Sequence, residues 1–184
     1  MSAPRLKFAL ADLLDGHEQI DVDDTFGPFK QALNRLVEGT SGTASGAARV
    51  QLEVSPQRVD VDGQITGVVT QTCSRCAEDF AQKLDRNFRQ LLLREQAPSS
   101  NEEGEVELQR GDLDREELLG TELDVLAILA EELQLALPVK PLCKDDCKGI
   151  CSRCGALLNH EECHCEPEID ERWAVLASLK LGKS

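Results

Sequence analysis

Eight cysteines in ligand-like spacings constrain this 184-residue chain more than any other feature. Cys143, Cys147, Cys151, Cys154, Cys163 and Cys165 fall within 23 positions, and Cys73 and Cys76 lie upstream in a second copy of the same Cys-Ser-Arg-Cys string. A Cys-x-x-Cys turn aims two sulfurs at one ion, and zinc takes a tetrahedral shell of four thiolates at about 2.3 Å. Twice four ligands predict two structural zinc ions. The favoured partition puts Cys151, Cys154, Cys163 and Cys165 on one ion. Cys73, Cys76, Cys143 and Cys147 form the other set, which rests on weaker spacing and would tie a β-rich block to the tail. His160 and His164 lie close enough to leave a site of three cysteines and one histidine open, against the plainer reading of both as exposed loop residues.

The alternative use of eight cysteines is a disulfide framework, which belongs to oxidising compartments. Met1 to Leu14 lacks the charged start, apolar middle and small-residue cleavage site of a secretory signal, and Asp12, Asp15 and Glu18 argue against a transit peptide. No apolar run approaches the roughly 18 residues that span a bilayer. The expected setting is the cytoplasm, with reduced thiolates.

Catalytic readings find little support. Catalytic zinc keeps an open coordination position and favours His or carboxylate ligands, whereas the chain has three His. A dithiol oxidoreductase needs a metal-free Cys-x-x-Cys at a helix start, and six further cysteines compete with that use. There is no phosphate-binding glycine loop, GxSxG turn or HExxH helix. The residues point to a binding or assembly protein rather than an enzyme, with no small-molecule substrate.

Three regions follow from the patterning. Residues 1–44 read as an N-terminal strand, Arg5 to Leu14, and a linker, since residues 39–46 spell GTSGTASG. Residues 45–137 read as a β-rich core with an acidic loop and a helix. Val50, Leu52 and Val54 alternate with polar residues, Pro56 and Gln57 suggest a turn, and Val59, Val61, Ile65, Val68 and Val69 continue around an Asp62-Gly63 turn signal. Phe80, Leu84, Phe88 and Leu92 fit both a helix and a strand. Polar residues 98–107 lead to a short strand at Val106 and Leu108, and a long helix spans about Glu122 to Leu137, capped by Thr121 and stopped by Pro138. Residues 138–184 read as the zinc-binding tail, with a short helix near Glu171 to Lys180. Aromatic residues make up 3% of the chain, so its core must be aliphatic. The fold class is α+β: a mainly antiparallel sheet or meander, one long helix and a cysteine-rich, zinc-bound tail.

Charge narrows the partner. The net charge of −14 divides into −3 for residues 1–44, 0 for 45–97, −10 for 98–137 and −1 for 138–184. Nucleic-acid binders gain most of their non-specific affinity from a basic face. This chain is acidic overall, so a basic protein suits it better than bare RNA, the plainer alternative being a solvated face that keeps it soluble. An opposing model uses Arg75, Lys83, Arg86, Arg89 and Arg94 of the neutral β block to contact RNA.

Five strings share one pattern: CSRC followed by AEDF at 73–80, LALPVKPLC at 135–143, CKGICSRCGALLN at 147–159, CHC at 163–165 and RWAVLASLK at 172–180. Together they resemble the YceD-like family of large ribosomal RNA subunit accumulation proteins. The resemblance covers about residues 45–184. It implies a non-catalytic role in synthesis, processing or stability of the 23S-type rRNA, with the large-subunit precursor as partner, met through a basic ribosomal protein or rRNA. It favours the strand reading of Phe80 to Glu95 and a stapling role for zinc. A general zinc-stapled protein-interaction module is the alternative, and a thiol oxidoreductase the third reading.

Overall fold

Alternation across residues 44–72 produces the two arms of one long antiparallel hairpin, β3 (Ala44–Val54) and β4 (Arg58–Thr72). The computed structural model describes residues 5–9, 12, 16–38, 42–94, 115–118, 122–165 and 172. The remaining elements are β1 (Lys7–Ala9), β2 (Gly16–Asp23), α1 (Gly27–Arg35), β5 (Asp79–Arg94), β6 (Arg115–Leu118), β7 (Glu122–Asp124) and α2 (Val125–Leu135). The large sheet has the order β2-β3-β4-β5-β6, antiparallel except for the parallel β5–β6 pair. β1 and β7 form a separate antiparallel pair.

The hairpin reverses at residues 55–57, where the Ser55 amide donates to the Arg58 carbonyl at 2.9 Å, at the expected Pro56-Gln57 turn. The expected turn at Asp62-Gly63 does not form. β4 runs straight through it, with Gly63 opposite Val50 on one side and Phe88 on the other. A Cβ on Gly63 would stand 2.1 Å from Phe88 Cζ, so the glycine makes room for an aromatic ring. Residues 39–46 are likewise not all linker, because Ala44, Ser45 and Gly46 already belong to β3.

β5 resolves the ambiguity of Phe80 to Glu95 in favour of a strand as far as Arg94, Glu95 lying outside the described residues. Leu84, Phe88 and Leu92 are buried on its inner face, and alternation puts Arg86 and Gln90 on that face between them. Those two polar residues made the spacing look helical. Both meet Glu132 of α2, through an Arg86–Glu132 ion pair and a Gln90 Nε2 hydrogen bond to Glu132 Oε1 at 3.4 Å.

The described residues hold two helices: α2, a shorter form of the long helix expected, and α1, which was not expected. In α1, Pro28 sits in the first turn and Phe29, Ala32 and Leu33 form the buried stripe. α2 starts later than expected: Asp124, not Thr121, caps it by accepting from the Ala127 amide at 3.1 Å. Glu122 to Asp124 pair with β1 instead, burying Leu123 beside Phe8 in the main core. That core is mainly aliphatic, built from residues such as Val50, Val59, Val61, Ile65, Leu129 and Leu133, and β2 and α1 contribute Ile20, Val22 and Phe29 to it. The expected strand at Val106 and Leu108, the acidic loop and the helix at 171–180 lie outside the described residues, apart from Arg172.

The polar bridge between α2 and the sheet has a measurable consequence. Glu132 is 4% exposed, so removing its cation strands a buried carboxylate. Arg86→Met should destabilise the fold by about 2–4 kcal/mol in denaturant titration, and the double change with Glu132→Leu should recover most of the loss. Equal losses in the single and double variants would show that the pair does not couple.

Candidate metal centres

The two Cys-Ser-Arg-Cys strings adopt the same local structure. In the first, the Ala77 amide donates to the Cys73 carbonyl at 2.9 Å; in the second, the Gly155 amide donates to the Cys151 carbonyl at 3.0 Å. The residue after each string is left-handed, Ala77 at φ 57° and Gly155 at φ 73°. Glycine takes this conformation freely, while alanine pays about 1 kcal/mol for it. The first turn joins β4 to β5, closed by Cys73 N–H to the Glu78 carbonyl at 2.9 Å and Thr72 Oγ1 to Asp79 Oδ1 at 2.7 Å.

The tail docks onto that turn. The Ser74 amide donates to the Pro141 carbonyl at 2.8 Å, and Arg75 Nη1 donates to the carbonyls of Cys147 and Asp145 at 2.9 and 3.3 Å. Gly149, at φ 77°, passes so close that a Cβ there would lie 3.0 Å from the Arg75 carbonyl oxygen.

This docking gathers the thiols into two tetrads, Cys73 with Cys76, Cys143 and Cys147, and Cys151 with Cys154, Cys163 and Cys165. Within each, the sulfurs lie within 4.8 Å of one another. The Sγ separations are 3.7 Å for Cys73–Cys147 and Cys76–Cys143, 3.6 Å for Cys154–Cys163 and 3.3 Å for Cys151–Cys163. A disulfide needs about 2.05 Å. Four sulfurs at about 2.3 Å from a central ion stand about 3.8 Å apart, so the donor set and its spacing fit a tetrahedral thiolate site.

The tetrads differ in setting. Cys73, Cys76 and Cys147 are buried, with Phe80, Leu142 and Leu157 packed around them. In the outer tetrad, Cys154 and Cys165 are exposed and the other two are half-buried. Burial opposes ionisation of Cys73, but amide donors from Cys143, Cys76 and Arg75 outweigh it and bring the thiol down to about 6. The amides of Cys154 and Arg153 bring Cys151 down to about 6 in the same way. Each repeated turn thus stabilises the thiolate of its first cysteine, the form that ligates metal. Cys165 is pushed up to about 12 by its hydrogen bonds to Cys163 and Cys154 and by burial.

Asn159 connects the tetrads. Its Nδ2 donates to Cys147 Sγ at 3.2 Å, which lowers that thiol, and its Oδ1 accepts from the Lys148 amide at 2.9 Å. An Ile150–Leu157 bridge and the Leu158 amide to the Gly149 carbonyl complete the connection. Neither His160 nor His164 belongs to a tetrad. His160 Nε2 instead pairs with the Glu78 carboxylate at 3.0 Å and lowers that group, so a second contact ties the tail to the hairpin. Asn159, Glu78 and Gly149 were not singled out by the sequence, where the one available sign was their nearness to the cysteine strings.

Residues 61–180 match the family described as large ribosomal RNA subunit accumulation protein YceD. The chain is similar to a chloroplastic large ribosomal RNA subunit accumulation protein YCED homolog 1 of Arabidopsis thaliana, 28% identical over 144 residues, covering 67% of this chain and 45% of that one. It is also similar to the Zea mays protein of the same description, 28% identical over 180 residues, 82% of this chain and 61% of the relative. An uncharacterized Mycobacterium tuberculosis protein is 25% identical over 130 residues, 71% of this chain and 59% of the relative. The chain therefore spans roughly half to three fifths of the length of these relatives. No solved structure matches it. No helix among the described residues is long and apolar enough to cross a membrane.

If ligand geometry at the inner tetrad holds the tail to the hairpin, Cys76→Ser should raise amide hydrogen exchange across residues 141–149. The amides of Val50, Val61 and Leu84 should keep their protection. Unchanged exchange in the tail would show that packing alone organises it.

Proposed function

The chain belongs to the YceD family of large ribosomal RNA subunit accumulation proteins, and from that premise we propose that it is a non-catalytic factor in large-subunit biogenesis that supports 23S-type rRNA synthesis, processing or stability. The match over residues 61–180 carries the reading, because that stretch holds the β4–β5 hairpin and both tetrads. The tetrads would hold two structural zinc ions. Zinc there supplies a cross-link between thiolates; the chain's own residues orient the sulfurs, donate amide hydrogens to them and wall off the inner site. Four cysteines on each ion leave no open coordination position, which supports a staple rather than a catalyst. The setting proposed is the cytoplasm.

The partner proposed is a basic ribosomal protein within the large-subunit precursor. Among the cations assigned to direct RNA contact, Arg75 binds tail carbonyls, Lys83 pairs with Asp85, Arg86 with Glu132, and Arg89 with Asp60 and Asp62. Such cations have less to offer phosphates. The acidic stretch 98–137 carries the excess charge, although Glu132 is spent inside the core.

Co-sedimentation with large-subunit precursors across a salt series tests this. Changing Glu102, Glu103, Glu105 and Glu107 to Gln should slow association about tenfold at low salt and flatten its salt dependence, with the fold intact. Loss of binding only when Lys83 and Arg89 become Gln, with the acidic set indifferent, would overturn the basic-protein partner in favour of direct RNA contact.

A further inference from the structure

The tetrads are equal in ligand count and unequal in access. In the inner one, Cys73, Cys76 and Cys147 are 2%, 1% and 3% exposed and Cys143 is half-buried, with Phe80, Leu142 and Leu157 packed around them. In the outer one, Cys154 and Cys165 face solvent. Cys154 also has a sulfur neighbour well placed for pairing, Cys163 at 3.6 Å and nine residues along the chain. Oxidation of a thiolate needs contact with the oxidant, and formation of a disulfide needs a second sulfur at hand.

We propose that the outer tetrad is an oxidation site for hydrogen peroxide, with Cys154 as the thiolate that is oxidised first and Cys163 as its resolving partner, while the inner tetrad stays reduced. The inference rests on the zinc reading of both tetrads. The Cys154 thiolate attacks one peroxide oxygen, the O–O bond breaks, and the departing hydroxide takes a proton to become water. The Cys163 thiolate then attacks the Cys154 sulfenic acid; an S–S bond forms, the S–O bond breaks, and a second protonated hydroxide leaves as water. The two sulfurs lose two electrons and peroxide gains two. With Cys154 and Cys163 joined, Cys151 and Cys165 would be the tetrad's remaining ligands, half of a tetrahedral shell, and the outer site would no longer retain its ion.

The structural consequence is local. The inner tetrad, Asn159 on Cys147 and His160 on Glu78 still hold the tail to the hairpin, so oxidation opens the outer module without detaching it. The fold would thereby lose one ion and keep the other.

The test uses the full chain as purified with its metal, treated with stepwise hydrogen peroxide. Released zinc is read with a chromogenic chelator, and disulfides are mapped by peptide mass spectrometry on the unmutated protein. The expected result is one zinc released per chain together with loss of two thiols, a Cys154–Cys163 disulfide, and a second zinc retained until denaturant is added. Cys163→Ala, which removes the proposed resolving sulfur, should raise dimedone labelling of Cys154 under the same peroxide treatment, and unchanged labelling would overturn the assigned pairing. Two ions leaving in one phase, or a disulfide among Cys73, Cys76, Cys143 and Cys147, would overturn the inference and leave the zinc reading standing. A chain purified without zinc would overturn both.

Discussion

The docking of the tail onto the β4–β5 turn is the contact on which the architecture beyond the sheet depends. It joins Cys143 and Cys147 to Cys73 and Cys76, about seventy residues apart in sequence. The apolar contribution on the tail side is small: Leu142 and Leu157 beside the thiols, with Val139 and Ile150 turned to solvent. So little buried apolar surface gives a short segment only marginal order, and small modules of this kind draw their order from a staple. The thiol geometry supplies one that fits.

The sheet in turn positions the staple. A fifteen-residue β4 and a sixteen-residue β5 make a long arm, and the Cys73–Cys76 turn lies at the end away from the Pro56-Gln57 reversal. Keeping that arm straight requires close fits along it. Gly63 admits the Phe88 ring, and Gly46 and Gly67 face each other where any side chain would strike backbone. α2 is oriented over the same arm by Glu132 on Arg86 before the chain passes through Pro138 to Cys143. A shift of α2 along β5 would displace the start of the tail, so a buried polar pair in the core and a thiol cluster at the rim are linked by chain continuity.

Cysteine spacing favours the outer set and only weakly the inner one, while the two Cys-Ser-Arg-Cys strings of this chain build the same local turn. Alternation likewise made Val50 to Val54 and Val59 to Val69 legible as strands. Where long-range contacts compete with local signals, the long-range contacts decide the structure. Asp62-Gly63 looks like a turn until Phe88, twenty-five residues on, needs the space above Gly63. Glu122 to Asp124 look like a helix start until β1, more than a hundred residues earlier, pairs with them. α1 is only nine residues long, and its three buried positions are too few to stand out from a loop. Asn159 acts through side-chain hydrogen bonds with Lys148 and Cys147, and Glu78 through its pairing with His160, and no periodicity advertises such contacts.

What the two tetrads hold decides whether the tail is stapled by metal. Elemental analysis of the purified full chain, combined with titration of its thiols after denaturation, measures that content directly. Two zinc ions per chain and eight free thiols are the result the geometry predicts. One zinc per chain would remove one tetrad from the reading, and a metal-free chain whose cysteines are paired in disulfides would contradict it altogether.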